Sequence, residues 1–394
     1  HTIPDSTTRA DIYDPITDQH LPVWPNTGSN LFCSGHAHLP NGDLFVAGGT
    51  VFRNLEMNKS NTFNYVTNKW ISSRHMNYER WYPTVTTLSS GEMLVTGGRS
   101  DVPEIYNSQT NTYRELTGAI RTDENWPWMR MAPDGRVIYL GPGKKLHFLN
   151  TNGIGSWETK PKRDDVYRSK GSYAIYDIGK ALVGGGSTSV KVTSTVDMYT
   201  GKGTPTGDLH IGRRSMNLVV LADGQVLAVG GNTTGSNLCS SQSNGLAPEL
   251  WNPDTGQWTL MSPQQKSRQY HSVALLMPDG RVFSSGEGKA DRTCTDQYNS
   301  EFYSPPYLFD SNGNSAVRPT IADAPPTFDY DEAITITSPE ASTIQKVHLI
   351  KLSSVTHSAN TGQRLVPLTF TTSGNQINAI SPENSNIAPP GYYM

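Results

Sequence analysis

An internal repeat constrains this chain more than any other feature. One unit, made of an apolar strand, a tight turn, a second apolar strand and a Gly pair, runs from His38 to Gly49 and returns from Leu88 to Gly98. Weaker copies lie at Pro133-Asp134-Gly135 and from Asp177 to Gly186. Strong ones run from Ala222 to Gly231 and from Pro278 to Gly286. A second element is an aromatic residue, usually near Asn, Asp or Pro. It recurs at Tyr13, Tyr65, Tyr106, Phe148, Tyr199, Trp251 and Tyr303, spaced 41 to 52 residues apart. A unit of that length holding about four short strands reads as a β-propeller blade. Seven aromatic elements against six strand-turn-strand elements predict seven blades, one of them completed by both ends of the segment. Such closure removes the open sheet edges that invite aggregation.

The repeat stops near Pro305-Pro306. Beyond Arg318-Pro319 the texture changes, and Ile334-Thr335-Ile336-Thr337 and Val347-His348-Leu349-Ile350 alternate like strands of a small sandwich. The expected fold is therefore all-β, a seven-bladed propeller over 1–310 followed by a small immunoglobulin-like β-sandwich over 318–394. Composition agrees: Gly (36) and Pro (26) are abundant among 394 residues, and only 17% are charged. The net charge of −3 without a Lys/Arg stripe argues against nucleic-acid binding. No apolar run reaches the roughly 18 residues that a membrane helix needs.

Three cysteines leave one to explain, since Cys239 and Cys294 can pair and Cys33 is then left over. The chain begins at His1 with no signal peptide in view, which is the expected result of processing or truncation. Sequons at Asn58 and Asn232 are compatible with an extracellular protein. The expected location is secreted or extracytoplasmic, with anchoring through a missing N-terminal segment as the alternative, and the expected state is a monomer.

A propeller gathers the starts of its innermost strands around one axis, so the residues just before each strand-turn-Gly-Gly element are the chemical candidates. They are Phe32-Cys33-Ser34-Gly35-His36, Arg80-Trp81-Tyr82-Pro83, Trp126-Pro127-Trp128, Arg213-Arg214-Ser215-Met216 and Gln269-Tyr270-His271-Ser272. A Cys, Tyr, His and Trp at equivalent repeat positions are an unusual concentration for a scaffold. Each alone is more often a packed residue than a ligand. Together, imidazole and phenolate suit tetragonal Cu(II), whereas no Cys/His spacing supports structural zinc. Tyr270 and His271 are adjacent, and strand neighbours point to opposite faces. Both can reach one metal only if the strand starts irregularly.

The Gly pair and aromatic resemble kelch repeats, and several segments resemble the copper radical oxidases, the family of galactose oxidase and glyoxal oxidase. Phe32-Cys33-Ser34-Gly35 is similar to the segment carrying that family's cross-linking cysteine. Arg80-Trp81-Tyr82-Pro83-Thr84 resembles the glyoxal oxidase form of the cross-linked tyrosine segment. The run from Tyr270-His271-Ser272 to Pro278-Asp279-Gly280-Arg281-Val282-Phe283 resembles the segment with the axial tyrosine and first histidine. Thr356-His357-Ser358 through Pro367-Leu368 resembles the loop with the second histidine. The resemblance spans nearly the whole chain, in the family's order.

It implies one copper ion bound by Tyr82, Tyr270, His271 and His357, and a thioether between Cys33 and the Tyr82 ring that supports a tyrosyl radical. Tyr270 would be the axial ligand and the base for the substrate hydroxyl proton. Copper and radical would each accept one electron, and O2 would leave as H2O2, with a peroxidase as a functional partner by family analogy. His357 lies outside the repeat, so the second domain must send a loop inward.

The match is incomplete around the substrate. Galactose oxidase has a stacking tryptophan where this chain has Arg99-Ser100-Asp101, and its sugar-contacting arginine has no clear counterpart, although Arg130 is close. Trp81, Trp126 or Trp128 is left to cover the radical, with core packing as the competing role. Small aldehydes or simple primary alcohols are thus expected over a sugar. The alternatives are a galactose oxidase-type carbohydrate oxidase, a non-catalytic kelch binding module, and a hydrolytic propeller using carboxylates such as Glu79, Asp101 or Glu287.

Overall fold

The computed structural model describes residues 8–50, 56–235, 245–288 and 295–394. The paired-cysteine expectation for Cys239 and Cys294 lies outside them. The fold is all-β. Apart from short 3-10 turns at Pro306–Leu308 and Ala341–Thr343, its regular elements among the described residues are strands.

The chain forms two compact units, one from 1–131, 135–169 and 389–392, the other from 132–134, 170–388 and 393–394. The first contains a hairpin, Asp11–Asp14 with Gln19–Pro22, and four-stranded antiparallel sheets over 35–73, 83–115 and 129–162. The second contains four-stranded sheets over 171–206 and 217–260 and a three-stranded sheet over 273–303. In every one of these sheets the strands lie in chain order, so each sheet is one copy of the sequence repeat. The remainder of the second unit pairs Ala333–Thr337 and Phe370–Ser373 with Gln376–Ile380, and Val347–Ile350 with Leu365–Leu368. Val355–Thr356 and Ala359–Asn360 form a small hairpin.

Burial explains the sequence pattern. The second strands Met93–Gly97 and Val226–Val229 are buried throughout, whereas the fourth strand Ser156–Lys162 has no buried residue. The second strand is covered on both faces by neighbouring sheets, hence its uninterrupted apolar run. Phe45, Val85, Val95 and Tyr106 form one such inter-sheet core, and Leu182, Val219, Leu227, Trp251 and Val282 another.

Two devices join consecutive sheets. The second glycine of a pair donates its N–H to an arginine carbonyl at the entrance of the next sheet: Gly49 to Arg80 (3.0 Å), Gly186 to Arg213 (2.9 Å) and Gly231 to Arg268 (2.7 Å). The glycines are needed because the backbones nearly touch. A Cβ on Gly230 would stand 2.1 Å from the Arg268 carbonyl oxygen. The same arginines then pair inside their own sheet with a glutamate that opens or lies near the start of the third strand. The pairs are Arg80–Glu104 (3.0 Å), Arg213–Glu249 (2.9 Å) and Arg268–Glu301 (3.3 Å). Each arginine also donates to the carbonyl of the first glycine of its own sheet, at Gly97, Gly230 and Gly286. The carboxylates take further N–H bonds, such as those of His210 and Ile211 on Glu249.

Arg213 and Glu249 have fully buried side chains. Removing one partner leaves an uncompensated charge in the interior, which costs about 3–5 kcal/mol. Glu249→Ala is therefore expected to lower the free energy of unfolding by that amount, read from the denaturant midpoint. The exposed pair Lys162–Asp165 should give less than about 1 kcal/mol when broken.

Candidate metal centre

The residues heading the first strands share a backbone conformation that side chains normally avoid. Cys33 (φ 59°), Tyr82 (71°), Trp126 (49°), Ser215 (61°) and His271 (65°) are all left-handed. They stand just before the strands that begin at Gly35, Pro83, Met129, Asn217 and Val273. The conformation costs about 1–3 kcal/mol at each non-glycine position, and such residues cluster at functional sites. It also lets equivalent positions bond between sheets. Tyr82 N–H donates to Cys33 O (2.9 Å), Trp126 N–H to Tyr82 O (2.9 Å), and Ser215 N–H to Lys170 O (2.8 Å).

In the first unit this brings Cys33, Trp81, Tyr82 and Trp126 into one buried cluster. Trp81 stacks on Tyr82 (centroids 4.2 Å, 23°), and Trp126 covers it at 4.0 Å and 39°. Arg99 lies 4.3 Å over the Trp81 ring and pairs with Glu56. The side chain standing where galactose oxidase carries its stacking tryptophan is thus one layer out, and Trp81 and Trp126 both pack on the Tyr82 ring. Trp128 is buried elsewhere in this unit, its ring against Gly141, and Arg130 is buried in the strand Met129–Met131.

In the second unit Tyr270, His271 and His357 come together. Centroid separations are 3.9 Å for Tyr270–His271, 4.7 Å for His271–His357 and 5.5 Å for Tyr270–His357. The irregular strand start expected at Tyr270-His271 is present. The strand begins only at Val273, and the left-handed His271 turns its ring to the side of Tyr270. His357 and Ser358 (φ 49° and 68°) are the two turn residues of the hairpin Val355–Asn360, in the left-handed pair of a type I′ turn. That tip is pinned by Ser172 Oγ, which donates to Ser358 O at 2.7 Å. Its base is held by Asn360 Oδ1, which accepts from the N–H groups of Ser354, Gly362 and Gln363. Gln363 pairs with both backbone groups of Val220 like an extra strand residue. The loop after the repeat therefore does reach back to the sheets over 171–303. Lys170 Nζ lies 5.4 Å over the Tyr270 ring, a neighbour the sequence pattern did not single out.

Glu287 takes the place of the second glycine in the last Gly pair. Burial pushes its carboxyl up, against bonds from Ser267 and Gln269 that lower it. Of the sequon asparagines, Asn232 is fully buried, and Asn58 donates to Met76 O.

Residues 318–394 match the family model for the galactose oxidase-like early set domain. A galactose oxidase of Gibberella zeae is 28% identical over 432 residues, covering 99% of this chain and 62% of that protein. This chain thus spans about three fifths of that relative's length. The aldehyde oxidase GLOX of Vitis pseudoreticulata is 25% identical, covering 93% of this chain and 79% of that protein. A solved structure, described as a novel fungal alcohol oxidase with catalytic diversity among the AA5 family in complex with copper, superposes with a TM-score of 0.89. It is 27% identical and covers 99% of this chain and 87% of its own. Over nearly its whole length the chain is thus similar to oxidases of the copper radical oxidase family.

The donor set of this chain suits copper. Among the described residues, no group of three or more His, Cys, Asp or Glu comes together, so a site at the imidazole pair must draw on phenol oxygens, as Cu(II) accepts. His271 Nδ1 is 2.9 Å from Gly288 O, and His357 Nδ1 is 2.8 Å from Thr356 Oγ1. With Nδ1 engaged, Nε2 would be the nitrogen of each ring that faces a metal.

One titration follows from the same strand heads. His36, beside Cys33 in the strand Gly35–His38, has its pKa pushed down to about 4 by burial and by the neighbouring His38. The folded chain holds this imidazole neutral, while the unfolded chain protonates it near 6.5. The stability is thus complete above pH 6.5 and is lost as pH falls from there to about 4. Its ceiling is about 3 kcal/mol from the size of the shift. His36→Asn should flatten that part of the curve of unfolding free energy against pH; an unchanged slope would show that His36 is not the titrating group.

Proposed function

We propose that this chain is a copper radical oxidase that oxidises small aldehydes or simple primary alcohols with O2, giving the carboxylic acid or aldehyde plus H2O2. The observation that carries it is the assembly of Tyr270, His271 and His357, each imidazole bonded at Nδ1, together with Cys33 packed against Tyr82 beneath two indoles. In this reading the sheets are blades of a seven-bladed propeller over 1–310, and 318–394 is an immunoglobulin-like domain that supplies His357. The enzyme is secreted or extracytoplasmic and monomeric, and a peroxidase consumes its peroxide.

Tyr82, Tyr270, His271 and His357 would hold the copper. When bound, it supplies a one-electron acceptor and a Lewis acid that eases loss of the substrate hydroxyl proton. Tyr270 Oη receives that proton. Cys33 would be joined through its Sγ to the Tyr82 ring, and the oxidised ring would accept the substrate's second electron as the carbon-bound hydrogen leaves; both electrons and both protons end on O2 as H2O2. Trp81 and Trp126 shield that ring from water.

Glyoxal oxidase-like substrates are favoured over galactose by the Arg-Trp-Tyr-Pro segment and by the seat of Arg99 on Trp81 rather than on Tyr82. The galactose oxidase-type alternative rests on the Gibberella zeae relative.

After copper loading in air, peptide mapping should find Cys33 linked to Tyr82 with loss of two hydrogens, and none in Cys33→Ser. A Cys33 thiol that still alkylates after this treatment would sink the radical-oxidase reading. In a peroxide-coupled screen, glyoxal and glycolaldehyde should outpace galactose, glycerol and benzyl alcohol. His357→Ala should abolish stoichiometric copper binding.

A further inference from the structure

We propose that Glu287 is a positioning residue that, by its carboxyl on Gln269 and by the Gly288 peptide that follows it, holds Tyr270 and His271 in the geometry for copper, a proposal that rests on the copper reading above. Four other Gly pairs have glycine at the second position, with φ of 130° at Gly49, 71° at Gly98, 113° at Gly186 and 90° at Gly231. The last pair has Glu287 there, at φ 155°, a conformation that is strained for a side-chain-bearing residue. The residue is also only 6% exposed. The chain thus accepts backbone strain and a buried carboxyl at one position where glycine would avoid both.

The bonds around it show what the carboxyl does. Oε2 accepts from Ser267 Oγ (2.8 Å) and Gln269 N–H (3.1 Å), and Oε1 from Gln269 Nε2 (3.1 Å). The next residue, Gly288, donates its N–H to Tyr270 O (3.1 Å) and accepts from His271 Nδ1 (2.9 Å). Gln297 N–H ties the Glu287 carbonyl from the other side (3.0 Å). Two adjacent residues therefore grip three consecutive ones: Gln269 by the carboxyl, Tyr270 and His271 by the following peptide. The last bond also fixes the His271 tautomer. Outer contacts of this kind change metal affinity or activity by about 10–100-fold when removed.

The test uses the full chain with Glu287→Gly, Glu287→Gln and Gln269→Ala. Cu(II) affinity is measured by chelator competition. Amide exchange over 266–272 and thermal unfolding are followed without metal. Glu287→Gly relieves the strain, so its unfolding temperature should hold or rise, while exchange at 266–272 quickens and Cu(II) affinity falls about 10–100-fold. Glu287→Gln keeps one accepting oxygen and should recover part of the affinity. Wild-type affinity with unchanged exchange in Glu287→Gly would overturn the proposal. So would a fall in unfolding temperature with protection lost throughout the chain, which is the signature of a merely structural role. Should Glu287→Gly not fold, Gln269→Ala removes one bond of the same clasp, and its failure to weaken Cu(II) binding would overturn the proposal equally. A wild-type chain that binds no Cu(II) would count against the copper reading, and the metal-free exchange comparison would still decide the clasp.

Discussion

The structure depends on a backbone hydrogen bond between equivalent strand heads of consecutive sheets, in which the head that donates its N–H adopts a left-handed conformation. Cys33 to Tyr82 and Tyr82 to Trp126 are links of this kind in the first unit, and Lys170 to Ser215 is one in the second. A regular strand would alternate its side chains between faces. A left-handed residue breaks the alternation, so neighbours such as Tyr270 and His271 can stand ring to ring. In the first unit the indoles on Tyr82, and in the second the ring contact of Tyr270 with His271, both sit at such left-handed heads.

Much of the fold was legible because the repeat is local. Turn chemistry at Asn41-Gly42, Asp134-Gly135 and Asp279-Gly280, and apolar runs ending in glycine, are nearest-neighbour signals, and each of those turns joins the first two strands of a sheet. The strand-head candidates were legible for the same reason, since repeat position alone selects Cys33, Tyr82, Tyr270 and His271. The Arg–Glu pairing was missed although its signal is present: a glutamate stands two residues before the aromatic in Glu104-Ile105-Tyr106, Glu249-Leu250-Trp251 and Glu301-Phe302-Tyr303. Recognising it requires knowing that the third strand returns to the entrance of the same sheet, which is a long-range fact.

His357 was readable only through resemblance, because no repeat governs residues beyond 310. Its placement depends on contacts far away in sequence, at Ser172 and Val220. The assignment of the tryptophans depended on packing. Trp81, Trp126 and Trp128 look alike in composition, yet two lie on Tyr82 and the third fills space beside Gly141. The relatives include both a galactose oxidase and an aldehyde oxidase, and these non-repeating side chains are where the chain can differ from either.

The pinned hairpin at His357-Ser358 has a consequence for how the molecule is made. The hairpin tip docks on Ser172, which lies 186 residues before Ser358 in sequence, while the His357 ring meets His271. During synthesis the imidazole pair cannot exist until that hairpin has emerged and folded back onto sheets completed long before. A ribosome-bound or prematurely ended chain would present Cys33, Tyr82 and their tryptophans without the second imidazole. The order of residues along the chain thus acts as a checkpoint: the imidazole pair forms only after the sheets that receive the hairpin are in place.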